Sequence, residues 1–600
     1  MLIRGRLVNI VDQKINPVEI VIEEGIIQSI TPDNNASGGP FILPGFIDAH
    51  VHIESSLLIP SEFARLAVVH GTIATVSDPH EIANVCGLPG VDFMIRNGHT
   101  SPFYFYFGAP SCVPATGFET AGATLDAAAV TALLEKPEIK YLSEMMNFPG
   151  VLGKDPEVMA KIAAAHRLGK PVDGHAPGLR GEEAKQYIAA GISTDHECFT
   201  AEEALDKLQA GMKILIREGS AARNFDALIG LLNDWPEQMM FCSDDKHPDS
   251  LLAGHIDRLC ARAVAAGIDV FKVLQAACVN PVEHYGLETG RLRVGDAADL
   301  ILVEDLEQFR VLQTYLKGQL VAQNGHTHLG SSHLIASPAP TSSGGLLAAQ
   351  PINNFKAVAR SVADFVYYLD KWGEQENVEQ VYCIEALDGQ LITNKLIIPI
   401  ADVLPLDGRL HANPSADILK IVVVNRYGPA PVAKSFIRGF GLRRGAIAAS
   451  VAHDSHNIVA IGVDDESICR AVNLIIEQKG GLACVDAGVA AAPRGATAAA
   501  EGGPVPGTPA PSDITGEPIP VITPSSGSEV LLPLPVAGLM SMDDGYRVAD
   551  AYIAIDNRAK ELGSTLGAPF MTLSFMALLV IPHLKLSDLG LFDGDRFSLI

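Results

Sequence analysis

The fold is decided by one stretch near the start of the chain, Pro44-Gly45-Phe46-Ile47-Asp48-Ala49-His50-Val51-His52-Ile53-Glu54. The apolar run from Phe46 to Ile53 predicts a short buried strand that ends in two histidines. Because side chains alternate along a strand, His50 and His52 lie on the same face. Two imidazoles on one face can bind a divalent metal ion, although an isolated pair is about as often hydrogen-bonded to backbone or water. The rest of the chain has to decide between these interpretations.

Composition excludes several classes of function. The chain has 600 residues, of which 48% are hydrophobic, so it is long enough for several domains with large cores. Its net charge of −26 argues against nucleic acids and anionic membranes as partners, because both repel an acidic surface. The sequence has neither a membrane-spanning apolar run nor a signal-peptide core. Its nine cysteines lack C-x-x-C pairs and indicate reduced thiols, so we expect a cytoplasmic protein.

The segment from 45 to 288 alternates strand and helix patterns, which predicts a TIM (β/α)8 barrel in the α/β class. Helical stretches rich in Ala, Leu, Glu and Lys occur at 156–168, 182–190 and 201–210. A doubly wound open sheet is the alternative, but no glycine-rich phosphate loop follows the first strand. The eight candidate strands end at His52, Asp78, Pro110, Met145, His175, Glu197, Glu218 and Asp244.

Two segments that flank the barrel, 1–44 and 289–330, consist of short strands and turns. Neither is large enough to fold alone, so we expect them to pair into one small β-sandwich around the barrel.

After a linker at 331–351, residues 352–600 predict a C-terminal α+β domain. Within this domain, the stretch 488–528 is rich in Pro, Gly and Ala and is expected to be a flexible insert. The main predicted elements are strands at 392–400, 418–425 and 458–463 and a helix at 466–478.

Residues of metal-binding type follow six of the predicted barrel strands. Catalytic groups of such barrels sit at the C-terminal ends of the strands, so these side chains should converge. A lone histidine at a strand end is more often structural, but capping alone does not explain six such ends. The residues are His50 with His52, Asp78 with His80 and Glu81, Glu144, His175, His196 with Glu197, and Asp244 with Asp245.

Longer motifs around these positions carry a family resemblance. The stretch at 44–52 is similar to the first-strand signature of the amidohydrolase superfamily. His52-Ile-Glu-Ser-Ser and Val76-Ser-Asp-Pro-His-Glu-Ile-Ala-Asn84 are more specific and resemble the bacterial adenine deaminase family. The likeness covers nearly the whole chain, and the 488–528 stretch is its chief departure. Further matching runs lie at 143–151, 173–177, 194–197, 242–245, 439–457, 534–541 and 569–575.

The resemblance implies hydrolysis of adenine to hypoxanthine and ammonia in purine salvage, with hydroxide generated at a divalent metal attacking C6. It implies two divalent metal ions, with Mn²⁺ or Fe²⁺ favoured over Zn²⁺. Many amidohydrolases bridge their metals with a carboxylated lysine on strand four, where this chain has a glutamate. The implied ligands are His50, His52 and Asp244 for one metal, His175 and His196 for the other, and Glu144 shared.

Deamination also needs acid and base groups beside the metals. Asp244 is one candidate, because a strand-eight aspartate can accept a proton from the attacking water. The run Asp78-Pro79-His80-Glu81 supplies three more candidates. Its other interpretation is that Asp78 caps the following helix and Glu81 completes the capping pattern.

Several further residues keep two interpretations. His453 and His456 are either a hydrogen-bonded structural pair or groups near the substrate. Arg217-Glu218 either contacts the base or forms a salt bridge that lines the barrel. Glu54 is expected to orient a ligand histidine.

Two other functions remain open alongside a deaminase. A hydantoinase-like hydrolase of cyclic amides would use the same barrel and metals, but no lysine precedes the Met145-Met146 pair on strand four. A non-enzymatic metal-binding scaffold is the third hypothesis, which the complete ligand set disfavours. In each case we expect a homo-oligomer, most simply a homodimer.

Overall fold

The computed structural model describes residues 1–331, 351–368, 379–406, 408–486 and 528–600. The chain forms two compact units. The first comprises Met1–Asn354 and Met540–Tyr546, and the second comprises Phe355–Leu539 and Arg547–Ile600. Apart from their terminal residues, the predicted linker at 331–351 and the predicted insert at 488–528 lie outside the described residues.

A closed barrel of eight parallel strands forms the centre of the first unit, as predicted. Two parallel ladders join strands 1 to 5 and strands 6 to 8. Ser193 N donates to Val172 O at 2.9 Å between strands 5 and 6, and Asp244 N donates to His50 O at 2.9 Å, which closes the barrel. Barrel strands 1 to 8 are Phe46–Val51, Thr72–Ser77, Tyr104–Ala109, Ile139–Met145, Val172–Gly174, Thr194–Asp195, Lys213–Arg217 and Met239–Cys242.

The strand sequences explain why this sheet closes inside a layer of helices. Every residue of barrel strands 1, 2 and 8 is buried, as expected for parallel strands that are covered on both faces. Each strand ends within two residues of its predicted end. The helices of the barrel are Pro60–Ala67, His80–Cys86, Leu88–Gly98, Ala127–Leu134, Phe148–Leu152, Pro156–Arg167, Gly181–Ala189, Ala201–Gln209, Phe225–Leu228, Pro248–Ala253, Ile256–Ala265, Val270–Leu274 and Asn280–Tyr285.

The two flanking segments pair as expected, and their strands follow one eight-stranded order that curves back on itself, so that Ile26 in the first segment pairs with Ala297 in the second. The segments meet where Phe41–Pro44 runs antiparallel to Leu300–Val303. Ile20, Ile42 and Leu300 are buried in its core. The remaining strands are Leu2–Asn9, Lys14–Glu23, Ile26–Pro32, Val311–Leu316, Gln319–Gln323 and His326–Thr327.

A short late segment, Met540–Tyr546, belongs to the first unit, whereas the sequence placed all of 352–600 in the C-terminal domain. Ser541 N donates to Leu57 O at 2.8 Å, just beyond barrel strand 1. Asp544 accepts from Arg65 Nη1 at 2.6 Å. The segment therefore completes the part of the first unit that follows the first strand.

The second unit is built on an eight-stranded sheet, and one of its helices packs on that sheet. Asp465–Gln478 packs on the sheet through Ile468, Val472 and Ile475. Asp464 caps this helix by accepting from Ser467 N. The sheet strands are Gln380–Ala386, Thr393–Pro399, Leu419–Val424, Ala433–Arg438, Ala446–Ala449, Ile458–Gly462, Gly481–Val485 and Glu529–Pro533. The other elements are helices Gly545–Glu561 and Pro569–Ser574 and strands Tyr367–Tyr368, Pro405–Leu406, Arg409–Leu410, Leu584–Ser587, Gly590–Asp593 and Ser598–Leu599.

Two further observations bear on the class of protein. Within the described residues, none of the helices combines the length and apolar character that crossing a bilayer requires. All nine cysteines are free thiols, and eight of them are buried.

Candidate metal centre

The six predicted metal ligands lie together at the C-terminal ends of the barrel strands. They come from strands 1, 4, 5, 6 and 8, and each is at most 4% exposed. Every one is the last residue or within two residues of the end of its strand, where the chain turns away and leaves the side chain facing the barrel axis. The ligand candidates are His50, His52, Glu144, His175, His196 and Asp244.

Glu144 lies at the centre of this group. Its Oε1 is 3.3 Å from Nε2 of His52, whereas its Oε2 is 2.8 Å from Nδ1 of His175. Oε2 is also 3.2 Å from Nε2 of His196. Burial would raise the pKa of Glu144, but the histidines, His175 first, hold that pKa well below its usual range. The two oxygens of one carboxylate therefore face two different sets of imidazoles.

Asp244 faces the two histidines of strand 1. Its Oδ1 is 3.4 Å from Nε2 of His50 and 3.1 Å from Nε2 of His52. The rings of His50 and His196 stack with centroids 4.1 Å apart. Ligand atoms of His50, His196 and Asp244 lie within 4.8 Å of one another, as do those of Glu144, His175 and His196. His196 thus adjoins both groups, whereas the resemblance placed it only at the second metal, with His175 and the shared Glu144.

Arg217, at the end of strand 7, carries the countercharge of the site. Its Nη1 donates to Oδ2 of Asp244 at 2.8 Å and also contacts Oε1 of Glu197, while its Nη2 donates to Oε2 of Glu197 at 3.0 Å. Burial would raise the pKa of Glu197, but the Arg217 guanidinium lowers it to about 2. The salt-bridge interpretation of Arg217 agrees with these contacts. Glu218 instead pairs with Arg262, 2.7 Å away.

The donor set fits divalent metal ions. Five carboxylates, each at most 3% exposed, crowd around the histidines, and the Arg217 guanidinium contacts two of them, Glu197 and Asp244. Burying several carboxylates is costly unless cations neutralise them. In addition, Nε2 of His175 is buried and has no hydrogen-bond partner among the described residues. Imidazole and carboxylate donors of this kind bind Mn²⁺, Fe²⁺ and Zn²⁺. The carboxylates are Asp78, Glu81, Glu144, Glu197 and Asp244.

The cluster Asp78, His80 and Glu81 borders the same group. Asp78 Oδ1 accepts from His80 N at 3.1 Å, so Asp78 does bind the first turn of helix His80–Cys86. Its Oδ2 is also 3.0 Å from Nδ1 of His80, and Nε2 of His80 is 3.4 Å from Oε1 of Glu81. Nδ1 of His80 lies 3.6 Å from Glu144. Asp78 therefore bonds the first backbone N–H of the helix and also contacts the imidazole beside the ligand candidates.

The structure changes the expectation for Glu54. Its Oε1 accepts from Ile82 N at 3.2 Å, which anchors the helix that carries His80 and Glu81. Nδ1 of His52 instead contacts the backbone carbonyl of Asp78 at 3.2 Å. Burial raises the pKa of Glu54 to about 7.

Three supporting contacts were missed at the sequence level. The sequence pattern places Glu197 at a strand end but does not indicate its pairing with Arg217. Asp48 accepts from Ser243 N at 3.0 Å and lies 2.8 Å from Nε2 of His255, which joins strand 1 to strand 8. Ser55 Oγ donates to Oδ1 of Asp245 at 2.5 Å. The signal for Asp48 was its position two residues before His50, because that spacing puts both side chains on one face.

His453 and His456 lie in the second unit, between strands Ala446–Ala449 and Ile458–Gly462. Both are buried. Nδ1 of His453 is 3.1 Å from Ser574 Oγ, and Nδ1 of His456 accepts from Ala452 N at 3.3 Å. Within that unit, both histidines are hydrogen-bonded, which agrees with the structural interpretation.

Comparison with known proteins assigns the family. Residues 41–321 match the Amidohydrolase family model, and 390–493 with 521–598 match the Adenine deaminase C-terminal domain. The adenine deaminase of Sulfurovum sp. (strain NBC37-1) is 50% identical over 100% of this chain and 99% of its own length. That of Salinibacter ruber is 49% identical over 100% of this chain and 98% of its own. Among solved structures, a β-aspartyl dipeptidase from Fervidobacterium islandicum covers 55% of this chain and 98% of its own, with 16% identity and a TM-score of 0.42. On its full-length relatives and both domain matches, the chain belongs to the adenine deaminase family of amidohydrolases.

Proposed function

We propose that this protein hydrolyses adenine to hypoxanthine and ammonia, and so serves purine salvage. The observation that carries the proposal is the full-length likeness to relatives that are named adenine deaminase. The buried donor set at the barrel mouth supports it, because replacing an aromatic amine by water needs a strong nucleophile at neutral pH. Glu144, rather than a lysine, is the strand-four donor, which favours this reaction over the hydrolysis of cyclic amides.

The amidohydrolase family implies divalent metal ions. We propose two per chain, Mn²⁺ or Fe²⁺, held by His50, His52, His175, His196, Glu144 and Asp244. When bound, such ions supply a nucleophile by lowering the pKa of water. Glu144 is suited to the shared position because its two oxygens face different histidines.

Asp244 is proposed as the base. In the reaction a C6–O bond forms, the C6–N bond breaks, the water loses its protons, and the amine and ring nitrogen N1 each gain one. Oδ2 of Asp244 is held by Arg217, while Oδ1 faces His50 and His52. Oδ1 is therefore the atom that takes the proton, and Arg217 fixes the carboxylate in that orientation.

Asp78, His80 and Glu81 are proposed to deliver protons to the purine. Asp78 contacts Nδ1 of His80, so the opposite nitrogen, Nε2, points to Glu81. A histidine that is oriented by one carboxylate and contacts a second can pass a proton between them. In this arrangement, Glu81 protonates N1 or the leaving amine.

The test uses the purified full-length chain, stripped with a chelator and reloaded with Mn²⁺ or Fe²⁺. We expect equimolar ammonia and hypoxanthine from adenine, no turnover without metal, and two metal ions per chain by elemental analysis. An Asp244→Asn variant should lose turnover, whereas Asp226→Asn, at a side chain that is 92% exposed, should retain it.

A panel of guanine, cytosine and hydantoin defines the substrate class. If the metal-loaded protein releases no ammonia from adenine near neutral pH, the proposal is wrong. A ring-opened product from hydantoin under the same conditions would establish the cyclic-amide alternative instead.

We also propose a cytoplasmic location, which the nine free thiols support. A homodimer is proposed as the assembly. Light scattering coupled to size-exclusion chromatography tests it, and a monomeric mass would contradict it.

A further inference from the structure

Barrel strands 5 and 6 are the shortest of the eight, yet each leads directly into a ligand histidine. Strand 5 has 3 residues and ends one residue before His175, and strand 6 has 2 residues and ends one residue before His196. Ladders this short supply few backbone hydrogen bonds near the two histidines. Some other interaction must hold these strand ends in place.

A buried lysine on the helix after strand 6 supplies one interaction that reaches both strand ends. Lys207 lies in helix Ala201–Gln209 and is 1% exposed. Its Nζ donates to Ala176 O at 2.8 Å, to Oδ2 of Asp195 at 2.5 Å and to Oε1 of Glu203 at 2.8 Å. An ammonium group has three hydrogens, so all of its donors are used.

The three acceptors lie beside His175 and His196 or hydrogen-bond to the loops that carry these two histidines, which we call the ligand loops. Ala176 directly follows His175, and Asp195 directly precedes His196. Asp195 Oδ1 also accepts from the backbone N–H groups of Ala176, at 3.3 Å, and Glu197, at 3.0 Å.

Glu203 extends the same cluster to the outer parts of both loops. It accepts from Gly178 N at 2.9 Å and from Phe199 N at 3.2 Å. One lysine and two carboxylates thus connect residues that flank both histidines. None of the three takes part in the proposed chemistry.

We propose that Lys207, with Asp195 and Glu203, is a positioning cluster that sets His175 and His196 at the correct separation to hold one metal ion. The inference rests on the proposed function, because it presupposes a metal at these histidines. Glu144, which faces the same pair, comes from strand 4, which has seven residues and contributes none of the three residues of the cluster. Loss of Lys207 should therefore loosen the metal between His175 and His196 more than the one at His50, His52 and Asp244, because His196 adjoins both groups but His175 lies only in the first.

The experiment measures metal retention by the full-length Lys207→Met variant, independently of turnover. Groups that orient metal ligands typically change metal affinity about 10- to 100-fold. We expect a chelator to remove roughly half of the bound metal at least about 10-fold faster than from the wild type, and metal content after dialysis to approach one per chain. Lys185→Met is the matched control, because its side chain, on the preceding barrel helix, is 66% exposed.

A purely structural role is distinguished by comparing metal release with the melting temperature of the metal-free protein. If Lys207→Met lowers that temperature but releases metal at the wild-type rate, the inference is wrong.

If this variant does not fold, as judged by circular dichroism, Glu203→Gln replaces it. That variant removes one charge and the acceptor for Phe199 N, and it should also speed metal release. Release from folded Glu203→Gln at the wild-type rate would likewise overturn the inference. Wild-type protein that holds no metal would instead contradict the proposed function.

Discussion

Nη1 of Arg217 donates to Oδ2 of Asp244 at 2.8 Å while it also contacts Glu197, so one guanidinium holds carboxylates from strands 6 and 8. Arg217 is 1% exposed. Despite its burial, Glu197 and Asp244 hold its pKa above the usual range. The pairing fixes which oxygen of Asp244 is left to face the histidines.

Replacing Arg217 with methionine should be severely destabilising. Removing one partner of a buried ion pair typically costs about 3–5 kcal/mol, because a charge remains buried without compensation. We expect this loss in the free energy of unfolding from denaturant titration of the metal-free protein, together with loss of adenine turnover. Arg223→Met, at a side chain that is 55% exposed, should stay within about 0.5 kcal/mol of wild type. Equal stability of the two variants would contradict the assigned role.

Glu144→Gln should reduce metal binding more than it affects folding. The glutamine amide has nearly the same shape as the carboxylate, but an NH2 group replaces one of the two oxygens. This NH2 group is a hydrogen-bond donor and cannot bind a metal ion as an oxygen does. We expect metal affinity to fall by more than about 100-fold, because even groups that only support ligands cost about 10- to 100-fold. Elemental analysis after equilibrium dialysis is the measurement. A wild-type metal content would show that Glu144 is not a ligand.

Glu81→Gln should show the opposite pattern, with metal retained and turnover lost. Oε1 of Glu81 lies 3.4 Å from Nε2 of His80, and Glu81 is not one of the six ligand candidates. If Glu81 moves a proton in the reaction, kcat should fall by about 100-fold or more, which is typical of acid–base groups. Metal content should match the wild type. If kcat is preserved, then Glu81 serves only the helix in which it lies.

Because Lys585 is buried, we expect the free energy of unfolding to depend on pH, independently of the metal centre. Lys585 is fully buried in the second unit, donates to Leu391 O at 2.7 Å and to Phe575 O at 3.0 Å, and burial lowers its pKa from 10.5 to about 7. Between these values the unfolded chain binds a proton that the folded chain lacks. The contribution of Lys585 to stability is therefore complete above pH 10.5 and is lost as the pH falls toward 7.

The measurement is the melting temperature of the wild type and of Lys585→Met at several pH values between 7.5 and 9.5. The advantage of the methionine variant should shrink as the pH rises, by at most about 1.4 kcal/mol per pH unit. Lys185→Met should follow the wild-type profile. Parallel profiles for wild type and Lys585→Met would contradict the lowered pKa.

The barrel and the positions of its ligand candidates could be predicted from the sequence because each depends on a local pattern. The run from Phe46 to Ile53 encodes a buried strand, and His50 and His52 follow from its period of two. All six ligand candidates were named from strand ends, and the structure brings them together. The family resemblance is confirmed by the full-length relatives.

The contact partners of those residues could not be predicted from the sequence, because they depend on how distant parts of the chain pack together. Nothing in the sequence couples Arg217 to Glu197 20 positions away or Asp48 to Ser243 195 positions away. The single continuous sheet of the flanking segments depends on the pairing of Phe41–Pro44 with Leu300–Val303, which short strand patterns do not specify. The partner of Glu54 was hidden for the same reason, since its carboxylate accepts from Ile82 N, 28 positions away, and the carbonyl that contacts His52 belongs to Asp78.

The segment Met540–Tyr546 has a consequence for the order in which the protein is made. It pairs with Leu57 and Arg65, near the start of the chain, but it leaves the ribosome after almost everything else. The barrel strands can assemble during synthesis, as domains generally do. The region after strand 1 therefore cannot reach its final form until about nine-tenths of the chain has been translated. A nascent or truncated barrel consequently differs from the finished one just after His50 and His52.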